Sequence, residues 1–474
     1  MNLDSLFYPK NIAVIGASDN LGGGKMPYFQ IIRANGFKGS IYPVNPRRGT
    51  VDGVKAYASI DELPEPVDFA IVAAPVEQSM DIVKAAVRKH IKFIHFFTSG
   101  FGETGNRQLE EDLVREARKG HLRIVGPNCI GIHCSESKIS FTFAPEQELP
   151  GTVAFLGQSG GITGNFLALA STRKIPLNKV VSYGNQIDLR LEEYLDYLAD
   201  DKKIRIIACY VEDIKDPDHF LQSLKKTTAK KPVIILKGGK TETGSKAAAS
   251  HTGAMASDYT IWAAVIRQHG GLLVDNFDQM MHLVMLGTAK KPLRGKRVGF
   301  LGAGGGVSVL FSDLAVQAGL VLPELSARAQ QKISEKIMGV NTSTVNPVDL
   351  GAFGFDLNVM LHTMKAIDED EGIDVIVPYF SVEYIMRSET ILQVKNNADT
   401  IMEMAHQIKK PVIPILSSFV EDNLDVERTR ITTFAALRNA GFPVYIKMQD
   451  AIYSIGTYFE WVAKHPLGKT RVTS

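Results

Sequence analysis

The chain is most constrained by a series of short, unbroken apolar runs at residues 12–15, 69–73, 93–97, 153–156, 204–210, 233–236, 298–301 and 375–378. A strand with one face in water alternates apolar and polar residues. Runs that do not alternate read as strands buried on both faces, hence as parallel sheets covered by helices. Several runs end in glycine or a polar turn that opens a helical pattern, as β-α-β units do. The expected class is therefore α/β. The 474 residues make about three domains at roughly 150 residues each. Proline- and charge-bearing joints at 141–152 and 288–297 divide the chain into domains 1–145, 146–292 and 293–474.

The second and third domains resemble each other. VAFLGQSGGI from Val153 parallels VGFLGAGGGV from Val298, Asp188 after NQI parallels Asp349 after NPV, and KKPVIIL from Lys230 parallels KKPVIPI from Lys409. They read as two copies of a flavodoxin-like fold after a Rossmann-like first domain. After its last strand the second copy carries KGGKTETGSKAAASHTGAMASD, where the third has SSFVEDNLD.

A formal charge of +2, with 45% apolar and 22% charged residues, fits a globular protein and points to neither nucleic acid nor a membrane as partner. Three cysteines, Cys129, Cys134 and Cys209, make neither a disulfide framework nor a CxxC metal site, and no metal is expected here. The N-terminus lacks a signal-peptide pattern and no run nears the roughly 18 apolar residues of a membrane span. A cytoplasmic location is expected.

Residues 11–18 (NIAVIGAS) place Gly16 and Ser18 in a turn after a strand, where backbone amides can approach a pyrophosphate. The second strand ends in Pro46-Arg47-Arg48 and not in the acid that holds an NAD ribose. Two guanidinium groups suit a phosphate, of NADP or of CoA. Turns containing Ala74-Pro75-Val76, Ser99-Gly100 and Gly126-Pro127-Asn128 should gather at the same strand ends.

In the second domain, Gln158-Ser159-Gly160-Gly161 follows a strand and opens a helix, a ready anion site. Residues 241–257 are small, lack a hydrophobic period and read as a functional loop. His251 lies within it. A neutral imidazole is a competent nucleophile toward a phosphoryl group, and a carboxylate on its other ring nitrogen fixes the tautomer. Glu212, Asp213 and Asp216 are candidates for that carboxylate. In the third domain LGAGGGV could cradle a phosphate but has no such loop, so that domain reads as a degenerate copy serving assembly or as plain scaffold. The aromatic residues of YFSVEYIMR from Tyr379 form either a partner surface or core.

These residues, in order, resemble the α subunit of ADP-forming acetyl-CoA and acyl-CoA synthetases, and more distantly that of succinyl-CoA synthetase. The resemblance rests on IAVIGAS, YPVNP, PVDFAIVAAP, SGFGE, GPNCIG, QSGGITG, SYGNQIDL, YVEDI, KKPVIILKGG, ASHTGAMA and NPVDL. It implies that His251 is phosphorylated, that Glu212 stabilises it, and that Ser159, Gly160 and Gly161 hold the phosphoryl group. It also implies that the first domain binds CoA, with Gly16, Ser18, Arg47, Arg48, Ser99 and Asn128 near it. Phosphate would attack an acyl-CoA, and His251 would relay the phosphoryl group to ADP. Family members often read SQSGALG where this chain has GQSGGITG, and TNGGGPG where it has LGAGGGVS.

The reaction also needs ADP or ATP with Mg²⁺. The three domains leave no room for an ATP-grasp domain, and GxxxxGK[ST] is absent from the sequence. The resemblance thus implies a separate ATP-grasp β subunit in an α2β2 complex. Two other readings are a CoA-binding regulatory protein without turnover and an NADP-dependent dehydrogenase. The first does not need His251, Glu212 and Ser159 together; the second leaves the histidine segment and the duplication unexplained.

Overall fold

The computed structural model describes residues 2–20, 26–142, 151–252, 258–337, 339–384, 386, 402 and 406–465, with the backbone alone for 249–252. The chain forms two compact units, Met1–Met280 and Met281–Ser474.

The first unit contains β1 (Asn11–Ile15), β2 (Ser40–Val44), β3 (Thr50–Val51), β4 (Val54–Lys55), β5 (Phe69–Val72), β6 (Phe93–Phe96), β7 (Arg123–Val125), β8 (Ile132–Cys134), β9 (Val153–Gly157), β10 (Leu177–Ser182), β11 (Ile206–Val211), β12 (Val233–Lys237) and β13 (Leu272–Val274). The second contains β14 (Val298–Gly302), β15 (Val348–Asp349), β16 (Val375–Ser381) and β17 (Ile415–Ser417). All eight apolar runs lie on strands paired in parallel sheets and are almost wholly buried.

The first sheet has the order β2-β1-β5-β6-β7, every pair parallel, with β3 and β4 as a separate hairpin. Its connections reverse direction between β1 and β5, the crevice where open α/β sheets bind ligands. Gly16 stands at that point with φ +83°, and a Cβ there would lie 2.4 Å from the Ala73 carbonyl oxygen. Only glycine fits.

The second sheet has the order β13-β12-β11-β9-β10-β8. Its first five strands are parallel in the flavodoxin-like order, with the reversal between β9 and β11. β8 joins the edge antiparallel to β10, a strand that the apolar runs did not mark. The third sheet, β15-β14-β16-β17, repeats the same order from its first strand. The duplication extends into packing. Phe155 on β9 stacks on Phe166 of the following helix at 3.9 Å, and Phe300 on β14 stacks on Phe311 at 3.9 Å.

Within the first unit, the turn after β7 docks on the loop after β10. The Asn185 and Ile187 N–H groups donate to the Pro127 and Gly126 carbonyls at 3.0 and 3.1 Å. Gly184, at φ +50°, lies so close that a Cβ would meet the Pro127 oxygen at 2.1 Å. Lys179 of β10, fully buried, ties the N-terminal segment to this sheet through Asp201 Oδ2 (2.7 Å), the Tyr8 hydroxyl (2.9 Å) and Asn178 Oδ1 (2.9 Å).

The second unit packs its own core around Leu301, Ile376, Met360 and Leu437. Tyr379 and Phe380 are buried on β16, and Tyr384 stacks on Phe355 at 3.8 Å. Those aromatic residues therefore serve the interior.

Gly184→Ala should lower the stability of the chain by about 2 kcal/mol or more in urea unfolding, from left-handed strain plus the carbonyl contact. Gly164→Ala is the control. Gly164 lies inside the helix Gly160–Thr172 with nothing within 4 Å of a new Cβ, so it should stabilise by about 0.5–1 kcal/mol.

Candidate active site

The sequence-selected residues fall into two groups, one spread along the strand ends of the first sheet and one at the β9/β11 reversal point of the second. At the ends of β1 and β2, Asn45 Nδ2 donates to the Ala17 carbonyl at 2.8 Å, and Asn45 Oδ1 accepts the Arg47 N–H at 2.9 Å. One side chain thus clamps the Gly16–Ser18 turn to the arginine turn. Ser18 Oγ accepts the Asn20 N–H at 3.0 Å. Arg48 pairs with Asp19 at 3.2 Å. Arg47 is exposed, and no side-chain partner for it is found among the described residues. Ser99 is exposed in the turn after β6. Asn128, at φ +56°, follows β7; its backbone N–H reaches the Thr98 carbonyl at 3.1 Å and its amide reaches Asn185 Oδ1 at 3.4 Å.

The second group lies between β9 and β11. Ser159 caps the helix Gly160–Thr172, its Oγ accepting from the Ile162 N–H at 3.5 Å. As the first helical residues, Gly160 and Gly161 have N–H groups without intrahelical acceptors, at the positive end of the helix dipole. Gly161 is exposed, and a Cβ on it would meet nothing nearer than Ser159 Oγ at 4.0 Å.

Glu212 follows β11 directly and is buried. Buried Gln158 holds its backbone, with Oε1 accepting the Glu212 and Asp213 N–H groups at 2.8 and 2.9 Å. The Tyr210 hydroxyl is raised well above its ordinary range by burial, by the Glu212 charge and by a hydrogen bond to Glu212. Lys237 Nζ, also buried, donates to the Glu212 carbonyl at 2.8 Å. Burial lowers this ammonium while the Asp213 and Glu212 charges oppose the shift. The two rival carboxylates are engaged elsewhere. Asp213 pairs with Lys215 at 2.7 Å, and Asp216 caps the helix Pro217–Thr228.

The segment expected to be a loop is largely a helix, Glu242–Thr252. The alanines at 247–249 favour helix, Thr241 Oγ1 accepts the Gly244 N–H at 3.1 Å, and Lys246 pairs with Glu242 at 2.7 Å. Its missing hydrophobic period reflects exposure, not irregularity: 241–243, 246 and 247 are exposed. His251 sits in the last helical turn. Its side chain, and residues 253–257 after it, lie outside the described residues. The helix packs beside the single turn Gly102–Thr104 that follows β6.

That turn carries residues given no role from the sequence. Glu103 accepts N–H bonds from Gly100 (2.6 Å) and Phe101 (3.2 Å), and Glu110 accepts from Gly102 (3.0 Å). Asn185 donates to both carboxylates, at 2.6 and 2.8 Å. Burial would raise Glu103, but donation from Asn185 and the backbone outweighs it and holds the carboxyl below the ordinary range. Glu110 is raised, by burial first and then despite its own donors, with the Glu103 charge adding to the rise. A groove of about 1050 Å³ opens here, lined by Gly102, Glu110, Asn185, Gln186 and Asp213 among others. Their signal lay in SGFGE and SYGNQIDL, motifs whose partners are far apart in sequence.

The third sheet carries a carboxylate of its own at the equivalent turn. Gly304 N–H, at the start of the helix Gly305–Gln317, donates to Asp349 Oδ1 at 2.9 Å. Asp349 thus holds the turn at the position equivalent to Ser159.

Residues 10–135 match the family described as CoA binding domain, and residues 150–286 match the succinyl-CoA ligase like flavodoxin domain. The α subunit of the ADP-forming acetate–CoA ligase II of Pyrococcus furiosus is 33% identical over 95% of this chain and 98% of its own length. The α subunit of ligase I from the same organism is 30% identical over 98% and 99%. The dinucleotide-forming acetyl-coenzyme A synthetase 1 of Candidatus Korarchaeum cryptofilum, solved with phosphate and ADP, superposes with a TM-score of 0.86 at 25% identity, covering 100% of this chain and 99% of that one.

Gln158→Ala strips the Glu212 and Asp213 N–H groups of their acceptor. It should destabilise the chain by at least about 2 kcal/mol in urea unfolding. Glu103 has a depressed carboxyl, so its contribution is present above the unfolded value near ~4.3 and is lost as pH falls through the lower folded value. The stability gap between wild type and Glu103→Gln should therefore be widest near neutrality and close below about pH 4.

Proposed function

The chain belongs to the family of α subunits of ADP-forming acid–CoA ligases, and on that premise we propose that the β9/β11 reversal point is its phosphoryl-transfer site. The activity is the interconversion of acyl-CoA, ADP and phosphate with the free acid, CoA and ATP. One observation carries the assignment of the site: the helix end at Ser159 and the buried Glu212 flank the same crevice, coupled through Gln158.

CoA lies along the ends of β1, β2, β6 and β7. Gly16 allows the backbone approach that its pyrophosphate needs, and Arg47 and Arg48 face its phosphates, Arg48 exchanging Asp19 for the ligand. Ser99 and Asn128 line the path toward the second sheet. Inorganic phosphate, held by Ser159 and the Gly160 and Gly161 amides, attacks the thioester carbonyl and expels CoA as the thiolate, giving an acyl phosphate. His251 then attacks the phosphorus, the P–O bond breaks, and the carboxylate leaves. Glu212 accepts the other ring N–H and stabilises the cation that forms. The helix N-terminus stabilises charge on the transferring group. The phosphohistidine passes its phosphoryl group to ADP.

ADP and Mg²⁺ belong to a separate β subunit. We assign that subunit an ATP-grasp fold and the complex an α2β2 composition, because the described residues offer no nucleotide loop. The domains 1–145, 146–292 and 293–474 divide the labour: CoA binding, phosphoryl transfer, and scaffold for assembly. In the third, Asp349 takes the Gly304 amide at the start of the helix. Among the described residues no helix is long and apolar enough to cross a membrane. Three buried, unpaired thiols fit a reducing cytoplasm.

Incubating the chain with phosphate, CoA and a panel of acyl-CoA esters, and in parallel with the partner subunit and Mg²⁺-ATP, should place acid-labile, base-stable phosphate on His251. Mass spectrometry locates it. The label should vanish in His251→Ala, and Glu212→Gln should lower its yield at least about tenfold through loss of the stabilised imidazolium. CoA binding without any label would instead indicate a regulatory protein.

A further inference from the structure

A second cluster lies away from the residues assigned to CoA and phosphoryl transfer. The helices Leu191–Asp200 and Pro217–Thr228 pack side by side. Along their seam, Glu192, Asp216 and His219 bring one ligand atom each to within 4.8 Å of one another.

Glu192 is the informative member. It is fully buried, and neither carboxylate oxygen has a hydrogen-bond partner among the described residues. A buried carboxylate is normally paired, hydrogen-bonded or bound to a metal. This one lies within reach of another carboxylate and an imidazole, a set of donors that a divalent cation can bridge.

The neighbours are arranged to match. Asp216 caps its helix with Oδ1, accepting the His219 N–H at 3.1 Å, which leaves its other oxygen for the seam. His219 Nε2 lies 3.0 Å from Asp196 Oδ2. A carboxylate on one ring nitrogen, fixing the tautomer and leaving Nδ1 as ligand, is the usual outer partner of a metal-bound histidine. Asp216 and His219 are half-buried, so an ion can enter from solvent.

We propose that Glu192, Asp216 and His219 bind one divalent transition-metal ion, with water completing its coordination. Two carboxylates and one imidazole favour zinc among the abundant divalent ions that tolerate mixed nitrogen and oxygen ligands. The ion would have a positioning role. Asp216 ends the loop that begins at Glu212, so the metal ties that loop to the helix after β10. The sequence shows no such site because its ligands sit on two different helices and form no short spaced motif. The proposal uses none of the residues assigned to catalysis, and its failure leaves that reading intact.

The test uses the full chain, dialysed against EDTA and titrated with ZnCl2 by calorimetry, with metal analysis of the product. One zinc per chain is expected, with a rise in the thermal midpoint. His219→Gln and Glu192→Gln, checked for native circular dichroism, should each weaken zinc at least about tenfold, and Asp196→Asn about 10–100-fold. Cobalt in place of zinc should give a d–d spectrum without thiolate charge-transfer bands. No stoichiometric zinc in the wild type would overturn the proposal and leave Glu192 a neutral buried acid. Unchanged uptake in both Gln variants, or thiolate bands with cobalt, would overturn it equally.

Discussion

The contact on which the site depends is between two turns. The chain leaves β7 through Gly126-Pro127-Asn128 and presses the Pro127 carbonyl onto Gly184, where no side chain fits. Two parallel sheets each carry a reversal crevice at their carboxyl ends, and by themselves these would be unrelated. The backbone bonds from Asn185 and Ile187 fix one edge against the other. Asn185 then reaches Glu103 and Glu110 of the first sheet's turns. This joint holds the ends of the two sheets' strands together. Lys179 reinforces it from the far side, where a buried ammonium must keep Asp201, Tyr8 and Asn178 in place to remain solvated by the protein.

The duplicated sheets show how small a change redirects a shared frame. Phe155 on Phe166 and Phe300 on Phe311 pack alike, and the strand orders agree. In one copy Ser159 caps the helix ahead of Gly160 and Gly161. In the other a glycine opens the helix and Asp349 takes the amide. The matching acid, Asp188, instead accepts the Ile124 N–H and pairs with Arg123. Equivalent residues therefore hold a turn of their own sheet in one copy and brace two sheets in the other. The ligand-binding power of a helix end is decided by what else reaches it.

The helix Glu242–Thr252 marks the limit of pattern reading. Periodicity detects helices that bury a stripe, and this one is largely exposed, so it has no stripe to detect. Its alanines and its Glu242–Lys246 pair were the available signs. They speak to propensity, which small polar neighbours and glycine outvoted. The same limit hid Glu103, Glu110 and Asn185, whose roles come from each other across the joint and not from their local sequence. The residues alone left Glu212, Asp213 and Asp216 open and the resemblance named Glu212; the structure adds that Lys215 pairs with Asp213 and that Asp216 caps a helix.

By itself the sequence determined the class of fold, the duplication and the chemical vocabulary of the site. Short unbroken apolar runs bounded by turn residues read as strands covered on both faces, and a glycine or serine after such a run is a local property of the backbone. Ser159, Gly160, Gly161, Gly16 and the arginine pair could be named on that basis. Only the tertiary structure decided that Gln158 holds the Glu212 backbone, that Asp349 takes the Gly304 amide, and which buried acid stands without a partner among the described residues. Those are outcomes of packing between segments remote in sequence. Burial, desolvation and hydrogen-bond satisfaction are set by neighbours in space, and no spacing along the chain encodes them.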